Sequence, residues 1–355
     1  MKIANLHLEN FKKFRHKTFD FTDESGKAKD ILVIIGKNGS GKSTVLQAIA
    51  AMLASATRLS VKPEDLEWPG LDWELVDSAW PAPPKIELNV EFSLDEIDAT
   101  QEYFKKTRRS QERTNAVVPA NSAYVKLTLD PTTQKVMAPT GAEYFQFHGR
   151  GYASSIFKYE ENSHILFNRV GSVFWYTEQR TTNSFVPEEN LNGHQALFDL
   201  NILRRSLNSR MDFHQKIESG QWQLKAGQRD IYAHLSQAYK AVFPDRSFYG
   251  SVPRFEPGSA LAEPWFYLYD GKNTYELSEM SGAERAIFPM LYDFANWSIH
   301  NSVILIDEIE LHLHPPLQQA LIRALPKLGK NNQFIITTHS EAITNIVPAD
   351  SIVYL

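Results

Sequence analysis

One nine-residue stretch, Gly36–Thr44, constrains this chain more than any other part of its sequence. It reads Gly-Lys-Asn-Gly-Ser-Gly-Lys-Ser-Thr and satisfies the pattern G-x-x-x-x-G-K-[ST] at every defined position. The apolar, β-branched run Ile31–Ile35 before it predicts a buried strand. The apolar residues after it recur at helical spacing and predict a helix from Lys42 to Ser55. A strand, a glycine loop and a helix start in this order indicate a polyphosphate site, because backbone N–H groups and the helix N-terminus attract an anion.

The residues of this loop have predicted roles. Lys42 is expected to contact the β- and γ-phosphates of a nucleotide, and the Ser43 hydroxyl to hold Mg²⁺. The loop alone is compatible with kinases, GTPases and many ATPases. The predicted phosphate-binding set is Gly36, Asn38, Gly39, Gly41, Lys42, Ser43 and Thr44.

The composition excludes several classes of protein. A chain of 355 residues can form one large α/β domain with an insertion, or two domains. Its net charge of −5 argues against a generally basic nucleic-acid-binding protein, and the lack of cysteine excludes disulfides and thiolate zinc sites. No apolar run approaches the roughly 18 residues of a membrane span, and the chain does not start with a signal peptide. We therefore expect a cytoplasmic protein.

A second part of the site is predicted near the end of the chain. The apolar run Val303–Ile306 predicts a strand, and the carboxylates of Asp307 and Glu308 follow it directly. Ligands of open α/β sheets bind outside the carboxyl ends of the strands. Asp307 is expected to hold Mg²⁺ through water, and Glu308 to polarise a water for attack on a γ-phosphate.

Two further segments complete the pattern. The strand predicted from Gln333 ends in His339, which would be structural if it stood alone. Ser281 and Gly282 open a predicted helix that runs to about Trp297, where a hydroxyl and N–H groups again suit an anion.

Together these motifs resemble the head of an ABC-type ATPase. The two strands predicted ahead of the glycine loop, and the turn at Asn10–Lys12, resemble the SMC, RecF and OLD branch rather than membrane transporters. The resemblance implies an α/β P-loop NTPase fold with leading antiparallel strands and a helical insertion, with ATP and Mg²⁺ as ligands. It also implies that Gln179 lies near Mg²⁺, that His339 contacts the γ-phosphate, and that Lys12 and Lys13 lie against the nucleotide phosphates.

The same resemblance identifies Met280–Glu284 as the signature motif, which contacts ATP bound to another subunit through Ser281, Gly282 and Glu284. The segment departs from Leu-Ser-Gly-Gly-Gln/Glu at its first and fourth positions. Alanine at the fourth position adds a methyl group, so contact with the phosphate is expected to be looser.

The D-loop follows the catalytic acid and includes His312 and His314. Its form, Asp-Glu-x-Glu-x-His-x-His-Pro, resembles compact RecF- and OLD-like ATPases of bacterial defence systems such as Septu. The two histidines and Glu308 are also metal-ligand types. No third ligand with suitable spacing follows them, so the D-loop interpretation is preferred.

The chain divides into three predicted parts. Residues 1–184 form the first lobe of the head, with an irregular Trp- and Pro-rich insertion at about 60–84. Residues 185–246 form a helical insertion, and residues 247–355 form the second lobe. The basic run Lys105–Arg113 ends a helix predicted from Leu94; it suits a nucleic-acid backbone but also fits a solvated helix end.

The resemblance implies two copies paired head to tail around two ATP molecules. A homodimer of this kind would act as a sensor or scaffold for a separate effector, such as a nuclease or toxin, in defence against phage. The chain ends in a predicted strand, where OLD-type proteins continue into a nuclease, so the effector is expected on another chain.

The sequence is also compatible with two alternative functions. One is a RecF- or SMC-like repair clamp that binds DNA directly. The other is an inactive structural dimer, which the intact Lys42, Asp307 and Glu308 argue against.

Overall fold

A computed structural model of the protein describes residues 1–57, 62–63, 72–107, 116–157, 159, 163–177, 200–225, 228–255 and 262–355. Its strands are β1 Lys2–Phe11, β2 Phe14–Asp20, β3 Ile31–Ile35, β4 Lys85–Glu91, β5 Tyr124–Leu129, β6 Val136–Met137, β7 Val173–Tyr176, β8 Ser247–Phe255, β9 Ala262–Tyr269, β10 Thr274–Glu276, β11 Val303–Ile306, β12 Gln333–Thr338 and β13 Ile352–Tyr354. Its α-helices are α1 Lys42–Thr57, α2 Trp73–Ser78, α3 Leu94–Lys106, α4 Gly141–Gln146, α5 Gly149–Ile156, α6 Ser163–Leu166, α7 Leu200–Glu218, α8 Ile231–Val242, α9 Gly282–Trp297, α10 Pro315–Ala324 and α11 Glu341–Thr344.

A parallel five-stranded sheet lies at the centre, in the order β13-β3-β12-β11-β7. Its register is closely aligned: Ile35 pairs with Thr338, while Ile306 pairs with both Ile336 and Tyr176. The carboxyl ends of β3, β12, β11 and β7 therefore meet at one edge of the sheet. This edge carries the glycine loop, His339 and the Asp307–Glu308 pair.

Both faces of the parallel sheet are buried, as expected for strands with continuous apolar sequence. Successive side chains on a strand point to opposite faces. Val303 and Leu305 accordingly join one hydrophobic core, and Ile304 and Ile306 join the other.

The first core lies between this sheet and an antiparallel sheet of order β2-β1-β4-β5-β6. Helix α1 contributes to this core and is buried on nearly all sides, from Val45 to Ala56. The sequence predicted one apolar face. The helix is covered more completely because sheets pack against it from two directions, and its small alanines permit close approach.

The second core joins the opposite face of the parallel sheet to helices α7 to α10. A third, antiparallel sheet of order β10-β9-β8 packs with α7 and α8. The sequence indicated the β9 region but not β8, whose Gly250 and Pro253 interrupt a strand pattern. The predicted division at 184 and 246 stays a prediction, but α7 and α8 share their core with the second lobe.

Two predicted segments lie partly outside the described residues. Helix α3 is described to Lys106, and residues 108–115, which hold most of the basic run, are not described. Within the Trp- and Pro-rich insertion, α2 is described while residues 58–61 and 64–71 are not. None of the described helices is long and apolar enough to span a membrane.

Leu235, a residue of α8, is 0% exposed and lies in the shared core. Its burial predicts how truncation of this side chain changes the stability of the fold. Leu235→Ala should lower the free energy of unfolding by about 2–5 kcal/mol, because it leaves a cavity in that core. The side chain of Ile202 on α7 is 44% exposed. Ile202→Ala should therefore change the free energy of unfolding by about 0.5 kcal/mol or less. Urea unfolding measures both; equal effects would mean that α8 is not part of the core.

Candidate functional site

The two predicted catalytic side chains and the predicted phosphate-binding lysine meet at the carboxyl edge of the parallel sheet. Lys42 Nζ lies 2.6 Å from His339 Nε2 and donates to the Gly36 carbonyl at 3.2 Å. His339 Nε2 in turn lies 3.9 Å from Glu308 Oε1. Residues from three distant parts of the sequence come together because β3, β12 and β11 are neighbours in the sheet.

The glycines of the loop are required by its backbone path. Gly39 and Gly41 have φ angles of +71° and +104°, which L side chains rarely adopt. A Cβ atom on Gly41 would also stand 2.7 Å from side-chain carbons of Lys13 and Phe14. The loop can therefore close under the β1–β2 turn only with glycine at this position.

The loop has the properties of a phosphate cradle. Helix α1 starts at Lys42, so the N–H groups of its first turn, at Ser43 and Thr44, have no acceptor in the preceding turn. In the described part of the chain, the buried Ser40 hydroxyl also has no hydrogen-bond partner. With the ammonium of Lys42 beside them, these donors fit a nucleotide polyphosphate.

The hydroxyl of Thr337 holds the two acidic residues in place. It donates to Asp307 Oδ1 at 2.5 Å and accepts from the Glu308 backbone N–H at 2.8 Å. Glu308 itself has a φ of +45°, an uncommon conformation for a residue other than glycine. The buried carboxylate of Asp307 and the hydroxyl of Ser43 are oxygen donors, which is the ligand type that Mg²⁺ prefers.

The loop after Glu308 supports His339. Glu310 Oε1 accepts from the His339 backbone N–H at 2.5 Å, so the segment after β11 fixes the segment after β12. His312, with a φ of +64°, and His314, which caps α10, are both exposed. In the ranges that the structure describes, these histidines and Glu308 do not form a cluster of metal-ligating atoms.

The β1–β2 turn places its two lysines differently. Lys13 Nζ donates to the Gly39 carbonyl in the glycine loop. Lys12 Nζ instead donates to Gln47 Oε1 on α1 at 2.5 Å, and burial lowers the pKa of this lysine. Lys13 therefore contacts the loop directly, and Lys12 contacts α1. Gln179, the predicted Mg²⁺ ligand, lies outside the described residues.

The signature segment forms the N-terminus of α9. Ser281 caps this helix in a capping box: its hydroxyl and backbone N–H each donate to Glu284 Oε2 at 2.8 Å. A Cβ on Gly282 would meet no atom within 4 Å, so the space beside the helix start is open. Neither Ser281 nor Glu284 has a hydrogen bond or ion pair to the glycine loop within the described chain.

Glu284 is buried beneath the helix start. Its carboxylate accepts hydrogen bonds from the Tyr239 and Tyr275 hydroxyls and pairs with the Arg246 guanidinium. Burial alone would raise the pKa of this carboxyl, but the bonds from Arg246 and the two tyrosines outweigh it and lower the pKa to about 2. This network holds Ser281 in position rather than presenting Glu284 at the surface.

Some residues of the site were not predicted from the sequence. Thr337 precedes His339 by two positions, and that proximity is the signal that could have indicated it. Arg246 and Glu276 could not be found in this way, because their partners are distant along the chain. Glu276, just before the signature segment, accepts two hydrogen bonds from Arg204 on α7, at 2.6 and 2.8 Å.

Comparison with known proteins gives a family match over most of the chain. The profile described as "AAA ATPase domain" matches residues 1–170 and 199–344. The chain is 24% identical to the retron Ec83 probable ATPase of Escherichia coli, over 99% of this chain and 71% of that protein. It is 22% identical to the Septu protein PtuA of Bacillus mycoides, over 95% of this chain and 38% of that protein.

A solved structure, the SMC head domain from Thermotoga maritima, is also similar. It is 16% identical, with a TM-score of 0.44 over 97% of this chain and 92% of the other. The family match and the central sheet confirm the predicted α/β P-loop ATPase fold, and the named relatives confirm the predicted resemblance to Septu-type ATPases.

The lowered pKa of Glu284 predicts a pH-dependent contribution to stability. The ionised carboxylate stabilises the fold above its ordinary pKa of 4.5, and this contribution is lost as the pH falls from there toward about 2. Glu284→Gln should cost about 1–3 kcal/mol at pH 7, because Arg246 and the buried hydrogen bonds lose a charged partner.

The difference in unfolding free energy between wild type and Glu284→Gln should therefore shrink between pH 5 and pH 3, as measured by urea unfolding. Glu279→Gln, at an exposed residue before α9, is the control, because a glutamine oxygen can still accept the hydrogen bond that Glu279 Oε2 accepts from the Glu276 backbone N–H. A difference that stays constant with pH would contradict the assignment.

Proposed function

Because the chain belongs to the AAA ATPase domain family, we propose that it binds and hydrolyses ATP at the carboxyl edge of its parallel sheet. The observation that carries this proposal is the convergence of Lys42, His339 and Glu308 on one point beside the glycine loop. Phosphoryl transfer depends on positioning and charge stabilisation more than on covalent chemistry, and these three groups supply both.

Each residue of the site has a proposed task. Lys42 and the first-turn N–H groups of α1 bind the β- and γ-phosphates of ATP. Glu308 orients the attacking water and accepts its proton, and His339 contacts the γ-phosphate from the neighbouring strand. When bound by Ser43 and Asp307, and by Gln179 as predicted, Mg²⁺ neutralises charge on the phosphates.

The site is completed by another copy of the chain. Within the described residues, Ser281 of the signature segment is hydrogen-bonded to Arg246 and Glu284 rather than to the glycine loop. We assign Ser281 and Gly282 to ATP bound by a partner, with Glu284 as the group that positions them. Two copies paired head to tail would close two such sites, and a closed two-fold dimer is the simplest form.

ATP binding would act as a switch for the helices that precede the signature segment. Arg204 on α7 pairs with Glu276, and Arg246 after α8 pairs with Glu284. Contact between Ser281 and the phosphate of an ATP molecule bound by a partner would therefore be transmitted to α7 and α8. These two helices share one core with α9. This arrangement suits a sensor or scaffold that regulates another protein.

The regulated partner is proposed to be a separate effector, such as a nuclease or toxin, in cytoplasmic defence against phage. Support comes from the relatives named as a retron ATPase and as a Septu protein. Purification of the chain with the products of its neighbouring genes, followed by identification of bound protein and nucleic acid, tests this proposal. Tight, ATP-dependent binding to plain duplex DNA with a steep salt dependence would instead favour a repair clamp.

The shared site predicts the behaviour of Glu308→Gln. This substitution keeps the shape of the side chain but removes its basicity, so ATP should bind and persist. Light scattering with ATP and Mg²⁺ should then give twice the mass of one chain.

Lys42→Ala is the matched control, because it removes the phosphate contact and should leave the protein monomeric. The head-to-tail dimer around ATP is contradicted if Glu308→Gln with ATP has the same mass as Lys42→Ala.

A further inference from the structure

The antiparallel sheet carries a cluster of metal-ligand side chains on β1 and β2, a different sheet from the one that carries the catalytic edge. His7 and Glu9 lie two residues apart on β1, so they share a face, and His16 pairs with Glu9 across the β1–β2 ladder. Leu6 and Leu8 fill the opposite face, in the first core. The three side chains therefore point away from the core, at the edge of the sheet.

The ligand atoms already lie at separations near those of a metal site. Glu9 Oε1 is 3.0 Å from His7 Nε2 and 3.6 Å from His16 Nδ1, and all three atoms lie within 4.8 Å of one another. Ligand atoms around a tetrahedral Zn²⁺ are about 3.4 Å apart, given bonds of about 2.0–2.1 Å. Small side-chain rotations would bring these three atoms into coordination.

The surroundings of His7 match those of a metal ligand. A ligating histidine usually donates its second ring N–H to a fixed acceptor, which sets the tautomer and the ring orientation. His7 Nδ1 lies 2.8 Å from Thr18 Oγ1, which can accept that hydrogen bond and leave the Nε2 lone pair facing Glu9. Thr18 is the residue that pairs directly with His7 on β2.

The charged neighbours leave one side of the cluster open. Lys85 Nζ lies 4.0 Å from Glu9 Oε2, the oxygen that faces away from the histidines. Glu87, opposite His7 on β4, is paired with Lys85 and Lys126 at 3.2 and 2.8 Å. His16 is 68% exposed, so an ion and a water ligand can enter from solvent.

We propose that His7, Glu9 and His16 form a binding site for a divalent transition-metal ion, with Zn²⁺ as the best match to two imidazoles and one carboxylate. The fourth position is open to water. The bound ion joins the edge strand β2 to β1, the two strands whose connecting turn carries Lys12 and Lys13. It thereby fixes the hairpin that places Lys13 on the glycine loop.

The test is a Zn²⁺ titration of the full chain by calorimetry, without nucleotide or Mg²⁺. Wild type should bind one equivalent, and the double variant His7→Ala/His16→Ala should lose it. Thr18→Val should weaken binding by about 10–100-fold, as expected when the hydrogen-bond partner of a ligand is removed. Co²⁺ in place of Zn²⁺ should give the visible absorption of a four-coordinate site in wild type but not in His7→Ala/His16→Ala.

The double variant His312→Ala/His314→Ala is the matched control, because it removes two exposed histidines from the loop after β11, away from the proposed site. It should keep the full equivalent. Circular dichroism checks the folding of each variant, and Glu9→Gln, which preserves size and shape, provides a second test. Failure of wild type to bind Zn²⁺, or retention of the full equivalent by His7→Ala/His16→Ala, would overturn the proposal.

Discussion

Parallel pairing of β3, β12 and β11 is the constraint on which the rest of the structure depends. It places Gly36, His339 and Asp307 directly after aligned strand ends, and so brings three sequence-distant motifs to one edge. A slip of one residue in β12 would turn every side chain of that strand to the opposite face. Thr337 would then no longer reach Asp307 and Glu308, and both cores would lose their apolar contacts.

The parts of the site that lie within continuous motifs could be predicted from the sequence. The strand–loop–helix order around Lys42 and the acids after β11 are local patterns, and local patterns can be read one segment at a time. The third sheet, the pairing of Arg204 with Glu276 and that of Arg246 with Glu284 depend on contacts between distant residues. No local signal indicates them, because nothing next to each charged residue in the sequence marks it as buried or identifies its partner.

In the turn between β1 and β2, the direction of individual side chains could not be predicted from the sequence. The sequence placed Lys12 and Lys13 together near the phosphates. In the structure, Lys12 has a φ of +51° and contacts Gln47 on α1, while its neighbour Lys13 contacts Gly39. The direction of each side chain is set by the backbone twist of this tight turn, and spacing in the sequence does not specify that twist.

We propose that each ATP site is built from two copies of the chain. Lys42→Ala and Ser281→Arg should each abolish ATP hydrolysis alone, but a mixed pair contains one site with both residues intact. An equal mixture should recover up to about a quarter of wild-type activity, which is the value for random pairing, and less where the Lys42→Ala chain, which lacks a phosphate contact of its own, pairs more weakly. A mixture as inactive as its components would contradict the shared site and place both residues in the site of a single chain.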